Sequence, residues 1–130
     1  MNIVVDTNVF ISALLTPDNK SFFILEKIID GTFTLYYNVD IIKEYKEVLS
    51  REKFGLDKLK ISYLISFIRL KGIYVFKYTK STIEFADEND RVFYDIAMQT
   101  DSILITGNTK HFPKHKHILT VATFYKRYLN

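Results

Sequence analysis

Asp6, Glu44, Asp90 and Asn108 carry the side-chain oxygens best placed to do chemistry in this sequence. Asp6 ends the apolar run Ile3-Val4-Val5, and Glu44 lies one turn into a predicted helix. Asp90 stands in the first turn of another, and Asn108 follows Thr106-Gly107. Hard oxygen donors without sulfur select a hard divalent cation. The chain has no cysteine, which excludes disulfides, thiol nucleophiles and thiolate metal sites. Singly, each residue has an ordinary use. Asp6 and Asp90 can cap helices, Asn108 can turn the chain, and Glu44 can pair with Lys43 or Lys46. Their joint placement carries the functional reading.

The elements that must position them alternate between strand and helix. Residues 2–6 run apolar, as a central parallel strand should. A helix from Thr7 or Asn8 to about Leu15 ends in the turn residues Thr16-Pro17-Asp18-Asn19. Ser21 to Asp30 has helical spacing at Phe22, Leu25, Ile28 and Ile29, with Gly31 behind it. Thr32 to Tyr37 reads as a strand. Asn38 or Asp40 opens a helix whose core face is Ile41, Ile42, Tyr45, Val48 and Leu49. Asp57 to Lys71 forms a long helix stopped by Gly72, followed by a strand over Ile73 to Phe76. Asn89 to Thr100 is helical with Asn89 as cap, Ser102 to Thr106 is a buried strand, and Ile118 to Thr120 is a last one before a closing helix, Val121 to Tyr128. This order implies βαβ crossovers and a parallel sheet covered on both faces. Ligands of such sheets bind beyond the carboxyl ends of the strands, where Asp6 and Asn108 fall.

A chain of 130 residues is expected to form a single domain over residues 1–130. With 48% hydrophobic and 25% charged residues it has the balance of a globular protein. No apolar stretch is long enough to span a membrane. The first residues lack the basic flank and cleavage site of a signal peptide, and with no cysteine the expected address is cytoplasmic.

The net charge of +3 is unevenly spread. Glu84, Asp87, Glu88, Asp90 and Asp95 crowd one segment, and Lys110, Lys114 and Lys116 crowd another with His111, His115 and His117. An acidic focus beside a basic rim suits a metal-dependent phosphodiesterase acting on a polyanion. Arg51, Lys53, Arg91, Lys110, His111 and Lys114 are the candidate contacts to the phosphates of such a polyanion. The histidine-rich loop lacks a carboxylate or thiol partner, so phosphate contact is preferred there to a second metal site, and a merely solvated loop is the first alternative to both.

Val4-Val5-Asp6-Thr7-Asn8-Val9-Phe10 resembles the opening motif of PIN-domain ribonucleases. Glu44-Tyr45-Lys46-Glu47-Val48-Leu49 resembles their mid-chain glutamate stretch, and Asp90-Arg91-Val92-Phe93-Tyr94-Asp95 their third acidic motif. Leu104-Ile105-Thr106-Gly107-Asn108 resembles the fourth, with the closing strand and helix behind it. The likeness is strongest to bacterial and archaeal members that are toxins of toxin–antitoxin pairs. It implies a three-layer α/β/α fold and a Mg²⁺- or Mn²⁺-dependent endoribonuclease cutting single-stranded RNA. It also implies that Asp6, Glu44 and Asp90 are metal ligands, direct or through water. Asn108 stands where the family usually has a fourth aspartate, and the lost charge favours one metal over two.

Thr7, Asn8, Thr106 and Asp95 are candidates for hydrogen bonds that fix the acids. A small antitoxin protein and RNA are the implied partners. The apolar helix near residues 59–70 suggests a homodimer. A phosphatase of haloacid-dehalogenase type would need an acid at Asn8, and a receiver domain would need acids ahead of Asp6. The competing reading is a PIN-like module that binds RNA or protein without cutting.

Overall fold

The computed structural model describes residues 1–129. Five short strands form one parallel sheet: β1 (Asn2–Val5), β2 (Thr34–Tyr37), β3 (Ile73–Tyr74), β4 (Ile103–Thr106) and β5 (Ile118–Thr120), in the order β3-β2-β1-β4-β5. Helices α1 (Thr7–Leu15), α2 (Lys20–Ile29), α3 (Val39–Leu49), α4 (Lys58–Lys71), α5 (Arg91–Gln99) and α6 (Val121–Tyr128) flank it. The result is the three-layer α/β/α arrangement expected from the alternation of periods. β1 and β4 are buried almost throughout because helices cover the sheet, which is why their sequences run apolar instead of alternating.

The order of the strands decides where a site can form. From β1 the chain steps one way to β2 and β3, then returns to the other side of β1 for β4 and β5. Loops leaving β1 and β4 therefore diverge and open a crevice between them. Asp6 and Gly107 are the first residues past those strands. Val4 pairs with Leu104 and Val5 with Ile105, so the two strands end level.

An aromatic stack braces this edge from below. Tyr45 of α3 meets Phe10 of α1 edge-on at 5.1 Å and Phe93 of α5 at 5.9 Å. All three are buried, and the Tyr45 hydroxyl donates to the Val5 carbonyl. α3 is thereby fixed to the end of β1, with Glu44, the neighbour of Tyr45, at the same edge.

Three local expectations are corrected. β3 ends at Tyr74 instead of Phe76, although the Val75 N–H still donates to the Tyr37 carbonyl at 2.8 Å. The second helix starts at Lys20, with the Asn19 side chain accepting the Phe22 N–H at 2.8 Å. The helix placed at residues 89–100 begins as a 3-10 turn, Glu88–Asp90, capped by Asp87 and not Asn89.

Candidate active site

Asp6 is 7% exposed, and both of its oxygens are engaged. Oδ1 accepts the Thr7 N–H at 2.8 Å, and Oδ2 accepts the Thr106 hydroxyl at 2.8 Å. The same Thr106 oxygen accepts the Asn108 N–H at 3.1 Å. One hydroxyl thus joins the ends of β1 and β4 across the crevice. Burial raises the Asp6 pKa, with the Thr106 and Thr7 hydrogen bonds opposing it. A carboxylate can accept about four hydrogen bonds, so this one keeps lone pairs for a cation.

Asp90 is not spent as a cap. Asp87 takes that part, its Oδ1 accepting the Asn89 N–H at 3.0 Å, and the Asp90 carboxylate makes no capping bond. Burial, then the charges of Asp6 and Asp87, raise its pKa to about 6, with His111 opposing and Glu44 adding. His111 Nδ1 lies 3.9 Å from Asp90 Oδ2. Glu44 is raised by burial first, then by Glu47, Asp87 and Asp6, while Arg51 lowers it.

Asp6, Glu44, Asp87 and Asp90 therefore form one field of mutually repelling carboxylates. That repulsion is what a bound cation relieves. Among the described residues, no three acidic or imidazole side chains close tightly enough to grip an ion directly. Mg²⁺ keeps several waters and takes only one or two carboxylates, so the donor set fits it with water completing the shell.

The supporting residues fall into two groups. Thr7, Thr106 and Asn8 lie at the site, and of their side chains only that of Thr106 hydrogen-bonds an acid. Asn8 Oδ1 accepts the Gly107 N–H at 3.0 Å, and the Thr7 hydroxyl is buried without a partner. Asn108 also reaches the site, its Nδ2 3.3 Å from His111 Nε2. Its Oδ1 accepts the Lys110 N–H at 3.0 Å, so the amide caps a 3-10 turn.

Asp95 and Arg91 are elsewhere. Arg91, Asp95 and Gln99 recur every fourth residue on α5 and form one stripe. Arg91 Nη1 donates to the Ser81 carbonyl at 2.8 Å, Asp95 Oδ2 accepts the Ser81 N–H at 3.0 Å, and Gln99 Nε2 donates to the Lys77 carbonyl at 2.7 Å. The stripe pins the irregular chain between β3 and Glu88 onto α5. Asp95 thus supports that strap and not the acids, because the stripe faces away from Asp90. Arg91 is buried, clasped by Glu88 at 2.7 Å and stacked on Phe85 at 4.9 Å, which leaves it unsuited to meeting RNA.

An Arg91→Ala variant is expected to expose the strap around residues 77–85 to protease and amide exchange, with RNA affinity little changed. A loss of affinity without local opening would return Arg91 to the RNA surface.

The remaining basic candidates are exposed. Lys110, His111 and Lys114 flank the Asn108 turn, whereas Arg51 pairs with Glu47 at 3.2 Å and Lys53 lies 5.1 Å over the Phe54 ring. Asp87, legible in the sequence only as part of an acidic segment, joins Asp6, Glu44 and Asp90. Its charge acts on all three, and its position two residues before Asn89, where an Asx cap belongs, was the available signal.

Residues 2–110 match a family model described as PIN domain. Over 112 residues the chain is 31% identical to an uncharacterized protein of Methanocaldococcus jannaschii, covering 83% of this chain and 71% of that protein. A similar fold occurs in the crystal structure of VapBC2 from Rickettsia felis bound to a DNA fragment from its promoter. The TM-score is 0.59 at 15% identity, over 92% of this chain and 97% of that one. PIN domains are generally nucleases that use divalent metal ions. With the match spanning β1 to the Asn108 turn and the acids gathered at the switch point of the sheet, the chain belongs to the PIN-domain family.

Proposed function

We propose that this protein is a Mg²⁺- or Mn²⁺-dependent endoribonuclease that cuts single-stranded RNA, and that it acts in the cytoplasm as the toxin of a toxin–antitoxin pair. The observation that carries the catalytic reading is the chain of contacts that brings the acids to the crevice between β1 and β4: Asp6 accepts from Thr106, Thr106 from the Asn108 N–H, and His111 lies beside both Asn108 and Asp90. Asp6, Glu44 and Asp90 would hold the ion, in part through water, with Asp87 adding charge. When bound, such an ion polarises the scissile phosphate and acidifies a water.

The protein's own residues do the rest. Thr106 and the Thr7 N–H hold the Asp6 carboxylate in one orientation. The Tyr45 hydroxyl keeps α3, and so Glu44, against the end of β1. Exposed Lys110 and Lys114 offer positive charge to the phosphates on either side of the cut, and His111, beside Asp90, offers a ring N–H.

The toxin role rests on family likeness and on the neighbour having been solved as VapBC2. A small antitoxin is the partner this implies. Leu59, Tyr63 and Leu70 project from α4, at 61%, 70% and 77% exposure, and offer a face for a second copy of this chain. The competing reading, a binding module with weak or no cutting, is favoured by one observation: the Asn108 oxygen is turned to Lys110. Incubating a single-stranded RNA panel with Mn²⁺, Mg²⁺ or EDTA decides between them. Metal-dependent cutting is expected. Intact RNA beside well-folded, Mn²⁺-free protein would favour the module.

The pH dependence of metal binding follows from Asp90. Its folded pKa of about 6 exceeds the ordinary 3.8, so the folded state holds this proton more tightly. Its contribution to metal-free stability is full below pH 3.8 and lost as pH rises through about 6. A cation instead needs the ionised form. Mn²⁺ should therefore raise Tm clearly at about pH 7.5, with apparent affinity falling roughly tenfold per unit below pH 6. Equal shifts at about pH 5 and pH 7.5 would remove Asp90 from the metal site.

A further inference from the structure

Three clefts border or approach the acids, and their charges differ. One, of about 430 Å³, opens beside Glu44 and is also lined by Asp40, Glu47 and Glu88. Its cations are Lys43, Lys80 and Arg91, the last already clasped by Glu88. A polyanion entering there would meet more negative charge than free positive charge.

The other side of the crevice is different. A cleft of about 430 Å³ begins at Asn8 and Gly107, the pair that bridges α1 and β4, and runs to Lys20 and Ala122. A second, of about 440 Å³, shares Lys20 and Ala122 and continues past Tyr125 and Lys126. Among the described residues, no carboxylate lines either one. Lys20 Nζ lies 5.6 Å from the centroid of the Tyr125 ring, whose own neighbour is Phe23 at 6.3 Å. Tyr125 is thus held in place while part of it remains accessible. The first turns of α2 and α6, which supply Ser21 and Ala122 to these walls, contain no acidic residue. Backbone N–H groups there add to the positive potential.

We propose that single-stranded RNA leaves the acidic site across Asn8 and Gly107 and lies along this carboxylate-free groove between α2 and α6. Lys20 and Lys126 meet its phosphates and Tyr125 stacks on a base. Two lysines with one ring are the combination that tracks a single strand without reading its sequence. The groove rests on the RNA reading of the site given above, and it assigns a direction to the strand, away from the acid-lined cleft.

The test is binding of a fluorescent 12-nucleotide single-stranded RNA to the whole chain in EDTA, across a salt series. Lys20→Ala/Lys126→Ala should weaken binding roughly tenfold and flatten the slope of log K against log salt by about 1.4, for two lost phosphate contacts. Lys126→Glu should weaken it further, and Tyr125→Leu should cost roughly tenfold with the slope unchanged. Lys43→Ala/Lys80→Ala, in the acid-lined cleft, should bind like the parent. Unchanged affinity and slope in the groove variants, or an equal loss in the cleft variant, would overturn the path. Absence of RNA binding by the parent would overturn it together with the RNA reading. Parent protein that binds through the groove but never cuts with Mn²⁺ leaves the path standing and removes the nuclease.

Discussion

Asp6→Asn protein should lose roughly 10³-fold in cleavage rate while melting at or above the temperature of its parent. The first figure follows from the several kcal/mol of transition-state charge stabilisation that a bound metal supplies, at about 1.4 kcal/mol per tenfold. The second follows from burial. Asp6 is 7% exposed and its carboxylate is disfavoured there, so a neutral isostere relieves desolvation and repulsion from Asp87. Asparagine keeps an oxygen for the Thr7 N–H. Its amide N–H would face Thr106 Oγ1, which already accepts from Asn108 and has a second lone pair to offer. Geometry is therefore preserved as charge is removed. Asp90→Asn should behave alike, with the thermal gain at about pH 7 larger, because its carboxyl, raised to about 6, is the more disfavoured in its charged form. Full activity in either variant would remove the acids from the chemistry, and a collapse in Tm would make Asp6 a structural residue. Rates and melting curves on one preparation separate these outcomes.

How much of this was legible in the sequence depended on whether the responsible interaction was periodic. Parallel strands covered on both faces write themselves as apolar runs, so β1 and β4 could be read directly, and with them the edge where Asp6 and Asn108 lie. The Asp6–Thr106 bond, 100 residues apart, was accessible only because strand ends collect at one edge. Asp95 was misread for the opposite reason. Its partner is a backbone N–H in an irregular segment, which has no pattern of its own. The Arg91, Asp95, Gln99 stripe was visible at helical spacing, but not what it holds. The capping side chain is Asp87, not Asn89, because a 3-10 turn precedes α5 and Asp87 caps that turn, which helix periodicity does not register. α4 is intermediate. Its many apolar residues read as an unusually broad face, and the structure divides them, burying Ile61, Leu64, Ile65 and Ile68 while exposing Leu59, Tyr63 and Leu70.

Gly72 gives the largest expected effect on stability, for a reason the sequence concealed. After a long helix a glycine reads as a left-handed stop, but Gly72 has φ −74 and ψ 167, open to any residue. Space is the constraint. A Cβ there would meet the Ile68 carbonyl oxygen at 2.6 Å, Tyr37 Cδ1 at 2.9 Å and the Leu35 carbonyl oxygen at 3.0 Å. Two of these are backbone atoms, of α4 and β2, which cannot swing aside as a side chain can. The Gly72 N–H donates to that same Ile68 oxygen at 2.8 Å, so relief would also strain the last turn of α4. Overpacking of this kind costs about 1–3 kcal/mol, and rigid partners place Gly72→Ala near the upper end. Gly31 is the control. It has φ +85 but nothing within 4 Å of an added Cβ, so Gly31→Ala should cost only about 1 kcal/mol. Denaturant unfolding of the two variants should therefore rank them opposite to their backbone angles, and the reverse order would place the constraint in φ. Because Gly72 leads into β3 and the strap, far in sequence from Asp6 and Glu44, cleavage per folded molecule should survive Gly72→Ala at low temperature. A specific loss there would mean that the strap, through Asp87, sets the geometry of the acids.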